Sequence, residues 1–275
     1  MNKPVGPAFQ AGLWDERIAR ARSLAATSPS TAAILTFYGD LASFQRRVAR
    51  SIALAQLNPS DLLAVVEPAV HAVPGFLEWL QGHGPAGLKQ VAADGSDWEH
   101  LLVQRLSAGR VDDEGPAAFV VEAILQPFVS SVRLQAEPEV RLQADPEVRL
   151  KPDATYDARC PACGSLPVAA ALREEGQGGR RTLVCSLCFA EWDYPRIQCP
   201  ACKENRFDAL PVYTADVSTP ARIDACDTCR TYIKTIDLTR DGLAIPAVDA
   251  LATLPLDLWA RERGYQRFYP NLLRV

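Results

Sequence analysis

Apolar residues recur every three or four positions along the first half of the chain. Ile34, Phe37, Leu41, Phe44, Val48, Ile52 and Ala55 share one face of a helix in this way. Pro29, following Ser28, marks a start for that helix, and Asn58-Pro59 marks a stop. The same reading predicts helices over 13–27, 60–81 with a break near Pro74, 97–108 and 116–132. Stripes of this kind stabilise helices by burial against one another, so residues 1–131 are expected to form a helical domain.

The pattern shortens in the second half. Residues 168–173 and 181–184 read as strands around a turn at 174–179, and residues 207–214 and 221–225 flank a turn carrying Ser218 and Pro220. Phe189, Trp192 and Tyr194 alternate with Glu191, Asp193 and Arg196, which predicts a strand joining the two hairpins. Residues 249–263 predict an amphipathic helix interrupted by Pro255 and ended near Gly264, with Leu251, Leu254 and Leu258 docking on the hairpins. The fold class is therefore α+β. Between the halves lie three copies of an eight-residue unit, VRLQAEPE, VRLQADPE and VRLKPDAT. Their regular proline and mixed charge predict an extended linker over 132–155.

All eight cysteines fall in the second half, as four Cys-x-x-Cys pairs: Cys160/Cys163, Cys185/Cys188, Cys199/Cys202 and Cys226/Cys229. The gaps between pairs are 21, 10 and 23 residues. Two residues between thiolates let one tight turn aim both sulfurs at a single ion, and a hairpin returns the second pair to complete the set. The expected grouping is sequential, Cys160, Cys163, Cys185 and Cys188 in one site and Cys199, Cys202, Cys226 and Cys229 in the other. Residues 156–275 then form a double rubredoxin-like or zinc-ribbon metal domain with a C-terminal helix. Four thiolates hold either zinc or iron, and the spacing does not choose between them. Gly164 suits the tight turn after its pair, whereas Phe189, Lys203 and Arg230 at the equivalent places are less permissive.

Other classes fit less well. Charged residues interrupt the first 24 positions, so no export leader is read there; the protein is expected in the cytoplasm with reduced thiols rather than disulfides. No apolar run reaches 18 residues, so no membrane span is expected. The net charge is −4, and residues 156–275 carry 15 Lys/Arg against 15 Asp/Glu, which argues against a dedicated nucleic-acid binder. Gly82, Gly84 and Gly87 match a dinucleotide-binding pattern by letter, but the preceding residues look helical rather than like a strand. His71, His83 and His100 lie far from the cysteines in sequence, and a closed four-thiolate site leaves no open position for substrate. No catalytic residue is assigned. Trp192, Tyr194 and Tyr232 are read as core, and Arg180-Arg181 as a solvated hairpin tip.

The residues around the cysteines carry a resemblance. CPACGSLPV, CSLCFAEWDYPRIQCPAC, CDTCRTYIK and the C-terminal DALATLPLDLWARERGYQRFYPNLL together resemble the FdhE family of formate dehydrogenase accessory proteins. That resemblance implies a helical N-terminal region and two rubredoxin-like metal folds, with the eight cysteines as ligands. It implies a cytoplasmic, non-catalytic role in formate dehydrogenase biogenesis, with the enzyme's catalytic subunit as protein client before its export by the twin-arginine route. The family is associated with iron. Arg230 stands where a glycine is common after the last pair, and Ala250 replaces an acidic residue often found beside Asp249. From the residues alone, a rubredoxin-type electron carrier and a zinc-ribbon nucleic-acid module remain alternatives.

Overall fold

Helix α1 (Pro7–Thr27) packs antiparallel against α2 (Ala32–Ser51) through the four-residue connection that begins at Ser28. The computed structural model describes residues 7–52, 57, 61–90, 95–109, 115–140, 157–175, 178–215 and 219–274. The most buried line of α2 is Leu35, Tyr38, Leu41, Ala42, Gln45 and Ala49, mostly one residue on from the expected stripe and so turned by about 100°. The reason is that α2 is covered on two sides. Tyr38 and Ala42 join Trp14 and Ile18 of α1, while Leu41, with Phe37 and Phe44 beside it, joins a second cluster. Expected residue Ala55 lies outside the described residues.

A 3-10 turn (Leu62–Val65) leads into α3 (Val66–His83), followed by the short α4 (Ala86–Lys89). The expected break at Pro74 is absent, and α3 runs through it. Pro74 is exposed, while Val73, Phe76 and Leu80 anchor the opposite face in the core. Helix α5 (Trp98–Ala108) starts at Asp97, whose carboxylate accepts from the His100 amide at 3.1 Å, and stops at Gly109 with φ 70°. Helix α6 (Pro116–Val140) is the hub, buried almost continuously from Ala118 to Val132. It continues past 132, so the first octapeptide copy is helical where an extended linker was expected; residues 141–156 lie outside the described residues. Val132 and Leu134 are buried, and that burial favours continuing the helix over releasing the chain.

By length and composition, Leu62–His83 and Pro116–Leu134 are long and apolar enough to cross a membrane. The latter is 89% buried here, as the central helix of a packed core; the former turns Val66, Ala69, Val73, Phe76 and Leu80 to the same core.

One sheet spans the cysteine-bearing half. Strands β1 (Pro167–Glu175), β2 (Gly178–Cys185), β3 (Glu191–Asp193), β4 (Val212–Thr214), β5 (Ala221–Cys226), β6 (Thr231–Asp237) and β7 (Gln266–Arg267) follow the order β3-β2-β1-β6-β5-β4, with β7 on β6. The two antiparallel hairpins meet at a parallel seam, where Ala170, Ala171 and Leu172 of β1 face Thr235, Ile236 and Asp237 of β6. The expected joining strand β3 instead sits at the outer edge, paired with β2 alone. Residues 207–209 form a 3-10 turn rather than the start of a strand.

Helices α7 (Pro246–Ala252) and α8 (Leu254–Glu262) break at Thr253, just ahead of Pro255, and Gly264 at φ 76° follows the end of α8. Leu251 is buried, but chiefly with Trp14, Ile18, Leu35 and Tyr38 of α1 and α2 rather than on the hairpins as expected, and Leu258 is 59% exposed. Leu256, Trp259 and Ala260 make the contact with the sheet in its place. Ala260 and Leu256 share that buried arc at i and i+4, which leaves Leu258 on the opposite face.

Candidate metal centres

Each Cys-x-x-Cys pair sits in the same local turn. The amide of the first cysteine donates to the carbonyl five residues on: Cys160 to Ser165 (2.8 Å), Cys185 to Ala190 (2.9 Å) and Cys199 to Glu204 (2.8 Å). The fourth pair repeats this within the β5–β6 hairpin, where Cys226 faces Thr231. The residue after each pair takes a positive φ: Gly164 70°, Phe189 60°, Lys203 66° and Arg230 59°. Three of the four are not glycine, a conformation that costs roughly 1 kcal/mol or more each. Each of the three makes an anchoring contact. Phe189 meets Trp14 edge-on at 5.8 Å, with the Arg17 guanidinium 3.7 Å over its ring. Lys203 Nζ donates to the Tyr194 hydroxyl at 3.2 Å, and the Arg230 guanidinium lies 3.9 Å over the Tyr265 ring.

The turns converge in sequential pairs. Sγ atoms of Cys160, Cys163, Cys185 and Cys188 all lie within 4.8 Å of one another, as do those of Cys199, Cys202, Cys226 and Cys229. In the first cluster the Cys163–Cys185 separation is 3.4 Å and Cys160–Cys188 is 3.5 Å; in the second, Cys202–Cys226 is 3.6 Å and Cys199–Cys229 is 3.7 Å. A disulfide would bring sulfurs to about 2 Å. A tetrahedron of metal–sulfur bonds of about 2.3 Å spaces sulfurs by roughly 3.8 Å, so the donor set fits a four-coordinate metal. Burial pushes the Cys185, Cys188 and Cys199 thiols up, a bias against the thiolate that a bound cation would have to offset. His71, His83 and His100 are exposed and away from both clusters.

The surroundings of the two clusters differ. The first is buried on all sides, its cysteines at 3%, 6%, 0% and 0% exposure in one cluster with Leu41, Phe76, Phe119 and Leu125. Cys163 Sγ contacts Ser165 Oγ at 3.4 Å, and Ser165 Oγ accepts from Arg105 Nη1 at 3.1 Å. Arg105 in turn pairs with Glu122, which also accepts the Tyr269 hydroxyl at 2.6 Å. Burial opposes the charge on Arg105, but the Glu122 carboxylate overrides it and holds the guanidinium more firmly protonated than usual. A cation two bonds removed from Cys163 thus faces the site where four thiolates and a divalent ion would leave a charge of −2. Gly109 abuts the same turn: a Cβ there would lie 2.6 Å from the Gly164 carbonyl, so only glycine lets α5 approach this closely.

The second cluster lies at the surface. Cys199 and Cys226 are buried, Cys229 is half-buried and Cys202 is exposed. Cys229 Sγ meets Thr231 Oγ1 at 2.6 Å. Glu204 latches the two turns, accepting the Asn205 and Arg206 amides, each at 3.0 Å, and the Thr228 hydroxyl at 2.7 Å. The Arg206 amide and the Thr228 hydroxyl hold its carboxyl down to about 2. Behind the cluster a cavity of about 50 Å³ is lined by Arg181, Cys199, Asp224 and Cys226. Arg181, expected at a solvated tip, is buried; it donates to the Gln198 carbonyl at 3.0 Å and lies 3.5 Å from Asp224. Hairpin β1–β2 thereby braces the second cluster as well as the first. Tyr194 and Tyr232 are core residues in separate clusters, and Trp192 is half-buried against the one that holds Tyr194.

Arg105, Glu122, Ser165, Tyr269, Glu204 and Thr228 carry no spacing pattern. A faint sign was available for Arg105, which interrupts the apolar run between Leu102 and Leu106.

A helical region joined to one sheet that gathers two four-cysteine clusters defines an α+β protein with paired candidate metal centres. Residues 159–196 match the family model "FdhE, central domain" and residues 197–274 match "FdhE, C-terminal domain". A protein FdhE homolog of Pseudomonas putida is 35% identical over 227 residues, covering 78% of this chain and 67% of that protein. The Aquifex aeolicus homolog is 38% identical over 115 residues, and the Pseudomonas aeruginosa homolog 42% identical over 120; the chain spans 41% and 38% of those two proteins. The crystal structure of the FdhE protein from Pseudomonas aeruginosa aligns with a TM-score of 0.70 and 26% identity over 96% of both chains. The chain belongs to the FdhE family.

Proposed function

We propose that this protein is a non-catalytic assembly factor for formate dehydrogenase, binding that enzyme's catalytic subunit in the cytoplasm. The observation that carries this reading is the pair of four-cysteine clusters within a chain of this family. Cys160, Cys163, Cys185 and Cys188 hold one metal ion, and Cys199, Cys202, Cys226 and Cys229 hold a second, each iron or zinc. Bound metal supplies cross-links between hairpins too small to build separate cores. The chain's own residues supply the rest: the four turns aim the sulfurs, Arg105 offsets charge at the first site, and Thr231 holds Cys229 at the second. Four protein thiolates close each site, which supports a role in binding rather than turnover.

The test is affinity capture from cells kept without oxygen, paired with a deletion strain assayed for formate oxidation. Retrieval of the catalytic subunit and loss of formate oxidation support the reading; neither occurring would overturn it. A visible spectrum of the same preparation separates the roles of the metal. A reversible iron band would favour a rubredoxin-type carrier, and two colourless zinc ions a structural role.

A further inference from the structure

Two clusters with one donor set sit in two different environments. Around the first, reaching any sulfur requires opening α5, α6 or the β1–β2 hairpin: all four cysteines are buried, Arg105 and Ser165 close one side, and the Arg133 guanidinium donates to the Cys188 carbonyl at 3.1 Å on another. Around the second, the rim is open. Ala201, Cys202 and Lys203 of one turn and Asp227 and Thr228 of the other are exposed in succession. The Glu204–Thr228 hydrogen bond joins the two turns and is itself exposed.

Resting on the reading that both clusters hold metal, we propose that the Cys199–Cys202–Cys226–Cys229 site exchanges its metal with solution while the Cys160–Cys163–Cys185–Cys188 site keeps its own for the life of the fold. Cys202 is the thiolate released first. A donor atom of an incoming chelator or thiol takes its place, the metal–sulfur bond breaks, and the freed Cys202 sulfur takes a proton from water. Cys229 follows, held back by Thr231. The two buried thiolates, Cys199 and Cys226, leave last. Release at the first site must wait for a larger opening of the core, and openings that expose core backbone are far rarer than openings of surface turns. The second site is thus suited to taking up or passing on a thiophilic divalent cation, and the first to maintaining the fold around it.

The test uses the full chain, loaded with zinc to a measured two ions per molecule and mixed with excess EDTA. Release is expected in two phases of one equivalent each, separated by about tenfold or more, with helical circular dichroism unchanged through the fast one. Cys202→Ser should remove the fast phase, leaving one slowly released ion on a folded chain. Thr228→Val, which cuts the latch without touching a cysteine, should speed the fast phase severalfold and leave the slow phase alone. Release of both ions in one phase, survival of the fast phase in Cys202→Ser, or equal acceleration of both phases by Thr228→Val would overturn the proposal. A chain that takes up no zinc at all would instead sink the metal-binding reading beneath it.

Discussion

Arg105 and Glu122 face one another inside the protein, Nε to Oε1 at 2.6 Å, with side chains 0% and 4% exposed. A buried pair of this kind is fragile to loss of one member, because the survivor is left charged in a poor solvent. Arg105→Met should destabilise the metal-loaded chain by about 3–5 kcal/mol in urea unfolding, and adding Glu122→Gln should recover part of the loss. A single-variant effect below about 1 kcal/mol would place the pair among ordinary surface contacts.

Cys185 tests how far the first cluster and the core are one object. Its sulfur accepts the Leu187 amide at 3.3 Å and is fully shielded beside α6 residues. Cys185→Ser should lose the cooperative transition of the whole chain, since metal binding in small thiolate folds supplies roughly 10–16 kcal/mol. Circular dichroism and metal content measured together check this; a folded variant with one metal fewer would count against it.

The left-handed residues after the cysteine pairs predict opposite signs for one kind of substitution. Lys203 is exposed, and relief of its backbone strain outweighs the loss of its hydrogen bond to Tyr194, so Lys203→Gly should stabilise by up to about 1 kcal/mol. Phe189→Gly relieves the same strain but empties the space against Trp14 and Arg17, and should cost about 3 kcal/mol or more. Thermal midpoints of the two variants moving the same way would contradict the packing argument.

Lys234 gives the protein a pH dependence. Its ammonium is fully buried on β6, donating to the Ala250 carbonyl at 2.7 Å and the Thr253 carbonyl at 2.8 Å and paired with Asp257. Desolvation, helped by nearby Arg267 and opposed by Asp257, pushes its pKa down to about 7. An unfolded lysine titrates near about 10.4, so between about 7 and 10 the unfolded chain binds more protons and stability rises with pH. Below about 7 both states carry the proton and this contribution is flat. Melting temperatures taken from pH 7 to 9.5 should rise for the parent relative to Lys234→Met; parallel curves would remove Lys234 from the account.

The cysteine geometry was legible because two-residue spacing constrains a turn, and the turn constrains two sulfurs. The first hairpin was legible through its glycine-rich turn near Gly179. The seam between β1 and β6 was not, since parallel pairing between strands about 65 residues apart leaves no local trace. Strand β6 itself is disguised by Lys234, a charged residue as fully buried as Thr235 and Ile236 beside it. Arg181 failed for the same reason: a charge beside a turn reads as solvated until its carbonyl and Asp224 partners arrive from the other hairpin. Pro74 misled in the other direction, because a proline on the outer face of an anchored helix need not end it.

The join at Ala170–Leu172 and Thr235–Asp237 also limits how this protein could be taken apart. Its two partners belong to different family segments, 159–196 and 197–274, and they are the two innermost strands of the main ladder. Expressing either segment alone would turn a central strand into a bare edge, the kind of surface that recruits other chains into aggregates. The smallest heritable piece of this architecture is therefore the doublet: a gene fragment encoding one segment would inherit a cysteine quartet but no sheet able to stand in water.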